Sequence, residues 1–332
     1  MNVFYTTDNK FIPQVAASIC SLFENNKEFD RINVYVASMG VTPENQQKLQ
    51  DFAKRYGREV SFIEIGDLSS YIDFSFDTSG WNSIVLARLV LDRLLSESVD
   101  RVLYLDGDTI VLDDLGKLWD TDMGGCVIGA CIEPTVSASR RVNLDMKDHP
   151  YFNAGILFID LKKWRKQRTG SKILEYYRQR EGKLFANDQD AINGSLAGEI
   201  YALDARYNYC NTFDFYPYRT LKKLASPAPY ISEQKYNDTK ARPAIIHYLG
   251  EERPWRAGNT HKYAADFRRY LSLTPWADMP MEDGWETYFK CFKIFNAVTR
   301  PFPMLRYKII DSLSPVFMRR RAKQLKKQKE DA

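Results

Sequence analysis

The sequence predicts an α/β protein: a Rossmann-like, mixed central sheet flanked by helices, followed by a helical tail. Three observations lead there. Short apolar, strand-forming runs alternate with segments of helical period through the first half of the chain, the βαβαβ order of a sheet wound with right-handed crossovers. One run, Arg101-Val-Leu-Tyr-Leu-Asp-Gly-Asp-Thr-Ile-Val-Leu112, delivers two aspartates to the lip of the sheet, where open α/β proteins bind ligands. The third observation is a swing of charge near residue 285, which sets the tail apart from the body.

In chain order, Val3 to Thr6 reads as the first strand, Pro13 to Asn25 as a helix and Ile32 to Ala37 as the second strand. Pro43 to Tyr56 is a helix with Thr42 as its N-cap and Pro43 in its first turn, positions those residue types favour. Val60 to Ile65 is the third strand. Ser83 to Leu95 has amphipathic helical spacing and leads into Val102 to Leu105, an apolar run of buried-strand character. Gly125 to Ile132 and Phe152 to Ile159 are further apolar runs, and Leu161-Lys-Lys-Trp164 opens a helical section reaching about Glu181. Ala191 to Leu196 is helical, with Asn187 assigned as its cap. Tyr207 to Pro243, rich in Tyr, Asn and Pro, reads as a long, poorly periodic connection, and Ala244 to Tyr248 as a last strand. Tyr288, Phe289, Phe292 and Phe295 return at helical spacing. The expected division is residues 1–275 for the body and 276–332 for the tail.

The chain of 332 residues carries a formal charge of +4, and that figure conceals an asymmetry. From Trp285 to Ala332 there are 12 Lys and Arg against 4 Asp and Glu, while the rest of the chain holds 35 against 39. An acidic body argues against broad nucleic-acid binding. The tail interleaves aromatic and basic residues through Pro315-Val-Phe-Met-Arg-Arg-Arg-Ala-Lys-Gln-Leu-Lys-Lys-Gln-Lys329, a pattern suited to an anionic membrane surface. Met1-Asn-Val-Phe-Tyr is already a strand and not a signal peptide. There is no run of 18 apolar residues to span a bilayer. Five cysteines without a CxxC pair suit a reducing compartment, with Cys20 and Cys126 as small core residues. The expectation is a cytoplasmic protein, peripheral on the inner face of the plasma membrane.

Asp106 and Asp108 lie on one face of an extended segment and can converge on a hard divalent cation. Gly107 between them lets a phosphate approach the backbone. A metal–diphosphate site is the leading expectation. Four more motifs accompany it: Tyr5-Thr-Thr-Asp-Asn9, Phe152-Asn-Ala-Gly-Ile156, Asn187-Asp-Gln-Asp-Ala-Ile-Asn193, and His247-Tyr-Leu-Gly250 followed by Arg253-Pro-Trp255. Together, over about residues 2 to 275, they resemble glycosyltransferase family 8, the retaining sugar-nucleotide transferases, and within it the bacterial lipooligosaccharide galactosyl- and glucosyltransferases.

The resemblance implies a GT-A fold, a UDP-galactose or UDP-glucose donor, and Mn²⁺ or Mg²⁺ held by Asp106, Asp108 and His247. It places Thr6, Thr7, Asp8 and Asn9 at the uracil and ribose, with Asn9-Lys10 where relatives have an acidic residue then Asn. Asp8 has a plainer alternative as a residue opening a helix. Gly250 and Arg253 fall beside the phosphates, where the family commonly has Lys in place of Arg253. Arg88, Asn153, Asp188 and Gln189 fall near the donor sugar. For Arg88 a structural ion pair with neighbouring carboxylates is the alternative. Gln189 is the residue at the β face of the anomeric carbon, and Asp190 would reach it only if the loop moved, which favours front-face substitution over a covalent intermediate. Glu133 is expected to touch a glycan or glycolipid acceptor entering over Pro134 and the Thr135 to Pro150 loop. A non-catalytic sugar-nucleotide binder and a metal-dependent phosphatase are the rival classes. The phosphatase lacks support because Thr109 follows the second aspartate directly, about 100 residues into the chain.

Overall fold

A computed structural model of the chain describes residues 1–78 and 82–330, with side chains to residue 316. Nine strands run in chain order: β1 Asn2–Asp8, β2 Asn33–Met39, β3 Glu59–Glu64, β4 Arg101–Leu105, β5 Thr109–Val111, β6 Ile128–Ile132, β7 Phe152–Asp160, β8 Ile200–Ala202 and β9 Ile245–His247. Seven form one sheet in the order β3-β2-β1-β4-β7-β6-β8, and β5 pairs with β9 in a separate ribbon. β1 to β4 are mutually parallel, and β7 runs antiparallel to both β4 and β6. The sheet is therefore mixed, as expected.

The inner strands β1, β4 and β7 are buried along nearly their whole length because both faces of the sheet are covered. Val3, Tyr5, Leu103 and Leu105 join a core with the helix Ile12–Asn25, while Phe4, Val102 and Tyr104 join Trp164, Ile173 and Tyr177 on the other face. The helix Pro43–Lys54 is capped as read, with Thr42 Oγ1 accepting from the Asn45 amide at 3.3 Å.

Four local expectations need correction. Ser83–Val90 winds as a 3-10 helix, followed by a single α-turn at Leu91–Leu94. Ile84 and Leu86 to Leu91 are all buried, so packing on several sides, and not one apolar stripe, sets the winding. The helical section after β7 is two helices, Leu161–Gln167 and Thr169–Gln179, broken at Arg168 in the left-handed conformation (φ 52°). Residues 207–243, read as an irregular connection, contain the helices Thr212–Phe215, Tyr218–Ala225 and Glu233–Ala241. Their aromatics are core residues: Tyr209 stacks on Phe213 at 5.4 Å, and Phe213 packs against Tyr236 at 5.8 Å. Finally, the helix at Asn187–Ser195 is preceded by Ala186, and Asn187 is its first residue, with φ +44° and no capping bond. Its side chain instead donates to the Thr78 carbonyl at 3.0 Å.

The tail is docked on the body. Arg256 lies with its Cζ 3.5 Å from the centre of the Trp285 ring, and Phe289, on the helix Glu286–Thr299, is buried. Arg306, on the long helix Pro303–Glu330, is 1% exposed. It donates to Asn296 Oδ1 at 2.6 Å and sits 4.1 Å from the Phe215 ring. The basic cluster from Arg319 to Lys329 lies outside the described side chains.

Candidate active site

The site forms where β4 leaves the main sheet and β5 enters the small ribbon. Asp106 directly follows β4, and its amide extends the β4–β7 ladder by donating to the Gly155 carbonyl at 2.7 Å. The turn is pinned from below: Thr109 Oγ1 donates to the Asp106 carbonyl at 2.8 Å and contacts Ser18 Oγ at 3.0 Å. The β5–β9 register pairs Thr109 with His247. Local sequence cannot announce that pairing, and it brings the histidine against Asp108.

One nitrogen and two carboxylate oxygens converge there. His247 Nε2 lies 3.3 Å from Asp108 Oδ1 and 3.7 Å from Asp106 Oδ2, and the three donor atoms fall within 4.8 Å of one another. The other oxygen of each aspartate is taken by an arginine. Arg88 Nη2 is 2.9 Å from Asp106 Oδ1, and Arg253 Nη2 is 3.5 Å from Asp108 Oδ2. Tyr104 also donates to Asp106 Oδ1, at 2.6 Å. A mixed oxygen and imidazole set suits Mn²⁺ and is also compatible with other divalent ions. The cluster is closely backed by β7. A Cβ on Gly155 would overlap the His247 ring at Cε1 and stand 2.8 Å from Asp106 Oδ2, so only glycine leaves room behind the cluster.

Charge is finely balanced. Burial opposes protonation of His247, but the hydrogen bond and charge of Asp108, with the charge of Asp106, outweigh it and raise the imidazole pKa. Burial likewise pushes Asp108 up, while His247 and Arg253 pull it further down, leaving its pKa below the ordinary value. Asp188 goes the other way. Its carboxyl is pushed up to about 6 by burial, with Arg88 opposing and Asp106 adding to the rise.

The remaining predicted residues form a ring around this cluster. Arg88 is buried and fully engaged: Nε lies 3.0 Å from Asp188 Oδ2, Nη1 donates to the Ala154 carbonyl at 2.6 Å, and the guanidinium lies 4.2 Å from the Tyr104 ring centre. It is thus the ion pair of the alternative reading, placed inside the site. Gln189 Oε1 accepts from the Ala154 amide at 2.9 Å, and its Nε2 donates to Glu133 at 3.2 Å and Tyr151 at 3.1 Å. Glu133 Oε2 also accepts from Asn153 Nδ2 at 3.0 Å. Beside Glu133, Pro134 and Asn153 lies a small cleft walled by Phe213 and Leu249. Asp190 is buried and occupied: Oδ1 accepts from Arg140 at 2.6 Å and Tyr151 at 2.6 Å, and Oδ2 from the Ala186 amide at 2.9 Å. Those bonds make it a framework residue.

At the end of β1, Asp8 Oδ1 accepts from the amides of Lys10 and Phe11, both at 2.9 Å, and Oδ2 accepts from Asn82 at 2.7 Å. Asn9 Oδ1 accepts from the Thr42 amide at 3.0 Å, and Thr6 Oγ1 contacts the Tyr104 hydroxyl at 3.2 Å. Thr7 Oγ1 donates to the Asp8 carbonyl at 3.1 Å. Asp8 and Asn9 therefore shape the loop that follows β1. A Cβ on Gly107 would meet Val15 at 2.6 Å and Phe11 at 3.1 Å, so packing on the first helix already demands glycine. Gly250 occupies a left-handed turn, φ +75°, with open space beside it.

Sequence reasoning missed Gly155, Asn208, Tyr151 and Asn193. Gly155 and Asn193 stood inside quoted motifs. Asn193 exchanges two hydrogen bonds with the Phe152 backbone, at 2.7 and 2.8 Å, tying its helix to β7. Asn208 and Tyr151 gave no signal beyond residue type.

The sequence model of the family described as Glycosyl transferase family 8 matches residues 2–258. General stress protein A of Bacillus subtilis is 29% identical over 280 residues, covering 83% of this chain and 94% of its own. A lipopolysaccharide 1,2-glucosyltransferase of Escherichia coli K12 is 25% identical over 289 residues, 86% of this chain and 81% of its own. Among solved structures, the galactosyltransferase LgtC, crystallised with donor and acceptor sugar analogues, has a TM-score of 0.70 at 24% identity, over 86% of this chain and 99% of that one. That likeness bears on the fold, which is GT-A.

Proposed function

The chain belongs to glycosyltransferase family 8, and from that premise we propose that it is a retaining hexosyltransferase moving galactose or glucose from a UDP-sugar to a hydroxyl of a lipopolysaccharide, lipooligosaccharide or other surface glycan. One observation carries the reading: the convergence of Asp106, Asp108 and His247 at the lip of the sheet, with Gly155 clearing the space behind them. These three side chains would hold Mn²⁺. The bound ion would supply Lewis-acid stabilisation of the diphosphate as the sugar–phosphate bond breaks.

The chain's own residues do the rest. Arg253 presents a second positive charge beside Asp108, toward the phosphates. Thr6, Thr7, Asp8 and Asn9 frame the nucleoside, and Gly107 and Gly250 keep the adjoining turns free of side chains. Asn153 and Asp188 would hydrogen-bond sugar hydroxyls, which rejects analogues lacking them. Gln189 stands nearest the reacting carbon; its carbonyl is pinned by the Ala154 amide and so points one way. An amide is a poor nucleophile and Asp190 is sequestered, so attack on the face from which UDP leaves accounts for retention. Glu133 borders the acceptor cleft.

Residues 276–332 would hold the enzyme on an anionic membrane at the cytoplasmic face. Ile294, Val298, Phe302 and Leu305 are exposed, along two helices and their connection, a stretch that also bears Lys290, Lys293, Arg300 and Lys308. Among the described residues no helix is long and apolar enough to cross a membrane.

The deciding experiment is a panel of UDP-sugars scored for UDP release with and without Mn²⁺. One sugar should give saturable, Mn²⁺-dependent release that disappears in Asp108→Asn. Release from none, or release indifferent to the ion, overturns the proposal.

A further inference from the structure

His247 can face the two aspartates usefully in only one of its neutral forms. A neutral imidazole has one N–H and one lone pair, and the partner of one nitrogen decides which it carries. Nε2 is the atom turned toward Asp106 and Asp108. Nδ1 lies 3.0 Å from Asn208 Oδ1 in a buried setting. If Asn208 offers an acceptor there, Nδ1 carries the hydrogen and Nε2 keeps its lone pair for a cation.

The orientation of that amide follows from its neighbours. Asn153 Oδ1 accepts from the Gly155 backbone N–H at 2.9 Å, a group that can only donate, so this end of Asn153 is an oxygen. Its other end, Nδ2, donates to Glu133 Oε2 at 3.0 Å. The Asn208 atom facing Asn153 Oδ1 at 2.8 Å must then be the donor Nδ2. Oδ1 of Asn208 is left for His247. Every link runs in one direction: His247 to Asn208, Asn208 to Asn153, Asn153 to Glu133.

The backbone holds the relay in place. The His247 amide donates to the Tyr209 carbonyl at 2.8 Å, and the Tyr209 amide to the Ile245 carbonyl at 2.9 Å. This short ladder sets the residue before Tyr209 beside the imidazole. Asn208 is buried, and its two amide atoms are both spent on the relay.

We infer that Asn208 is a positioning residue of the site: it fixes His247 with Nδ1 as donor and Nε2 as ligand, and couples the cation to Asn153 and Glu133 on the sugar side of the cleft. The inference rests on the metal reading above and deepens it. Asn208 itself touches neither cation nor sugar.

The test compares Asn208→Ala and Asn208→Asp in the full chain by titrating Mn²⁺ in the presence of UDP and following free Mn²⁺ by electron paramagnetic resonance. Loss of a partner that orients a ligating histidine costs 10- to 100-fold in metal affinity, so Asn208→Ala should bind Mn²⁺ weaker by about that factor. Asn208→Asp keeps an acceptor for the Nδ1 hydrogen and should stay within a few-fold of the parent. Thermal unfolding of each variant separates misfolding from misorientation, since Asp at a buried site costs stability yet should rescue binding. Equal Mn²⁺ affinity in the parent and Asn208→Ala overturns the inference, as does equal loss in both variants. A parent chain whose Mn²⁺ binding is unaffected by Asp108→Asn overturns the metal reading first, and this inference with it.

Discussion

Replacing Gly155 with alanine tests the site at its tightest point. The new Cβ would overlap the His247 ring at Cε1 and stand 2.9 Å from Nδ1 and 2.8 Å from Asp106 Oδ2, where ordinary contact begins at 3.4 Å. Even the two milder contacts need the ring and the carboxylate to retreat by about half an ångström. A metal site tolerates about 0.2 Å in its ligand distances. The ring cannot yield freely, because Asn208 holds Nδ1 and the β5–β9 pairing holds the backbone. Overpacking of this kind costs about 1–3 kcal/mol. Gly155 does not have the positive φ that would penalise alanine further. Stiffening the unfolded chain returns about 0.4–1 kcal/mol, so a net loss of up to about 2.6 kcal/mol should appear in denaturant unfolding. Mn²⁺ binding with UDP, by calorimetry, should weaken by at least about tenfold, the lower bound for disturbing a ligand's support. A variant with parental stability and parental Mn²⁺ affinity would refute the steric argument.

Two further outcomes follow from the same geometry. Arg88→Met removes the cation between Asp106 and Asp188, and breaking a buried pair in this way costs about 3–5 kcal/mol near pH 8. The sign with pH is set by Asp188. Its folded pKa, about 6 against 3.8, is raised by burial, with Arg88 opposing and Asp106 reinforcing, so this group favours folding at low pH and loses that contribution as pH climbs through about 6. Without Arg88 the rise is larger and the loss extends to higher pH, so urea unfolding should show a smaller deficit at pH 5.5 than at pH 8; a deficit flat with pH contradicts the assignment. On the tail, combining Ile294→Ser, Val298→Ser and Leu305→Ser alters exposed positions only. It should shift unfolding by no more than about 0.5 kcal/mol per site while abolishing sedimentation with phosphatidylglycerol vesicles. Truncation before Trp285 is a poorer probe, since it also uncovers Arg256. Unchanged vesicle binding would remove the membrane from the proposal.

The strands were legible because strands buried on both faces read as unbroken apolar runs, as in Val102 to Leu105. Asp106-Gly-Asp108 was legible because its chemistry is written in three adjacent residues. His247 was reachable only by resemblance, since what makes it a partner of Asp108 is the pairing of Thr109 with His247, 138 residues further along the chain. Asn208 and the helices around it were not legible: their aromatics pack as core, and core aromatics in short helices resemble a loop when counted by composition. Gly155 failed for a related reason. Its need for a hydrogen in place of a side chain comes from His247, a distant residue, and no local turn demands it. Asn187 shows the converse. Residue type suggested a cap, yet its left-handed backbone turned the side chain to Thr78.

The two arginines explain why the aspartates are a pair and not merely two acids. Each carboxylate gives one oxygen to an arginine and turns the other toward His247. Bidentate ligation by either aspartate would have to break an ion pair, so each is limited to a single bond. On the proposed reading, three protein ligands would leave coordination positions for phosphate oxygens. With Asp188 ionised, Asp106, Asp108 and Asp188 stand against Arg88 and Arg253 and a neutral imidazole, which leaves the ring one net negative charge. A divalent cation entering such a site alone would leave it with an excess positive charge, and a diphosphate entering alone meets the carboxylates. Together they neutralise each other within the ring. On the proposed reading, the protein's contribution is therefore a geometry that neither ion fills well without the other, which ties cation binding to the presence of the sugar nucleotide.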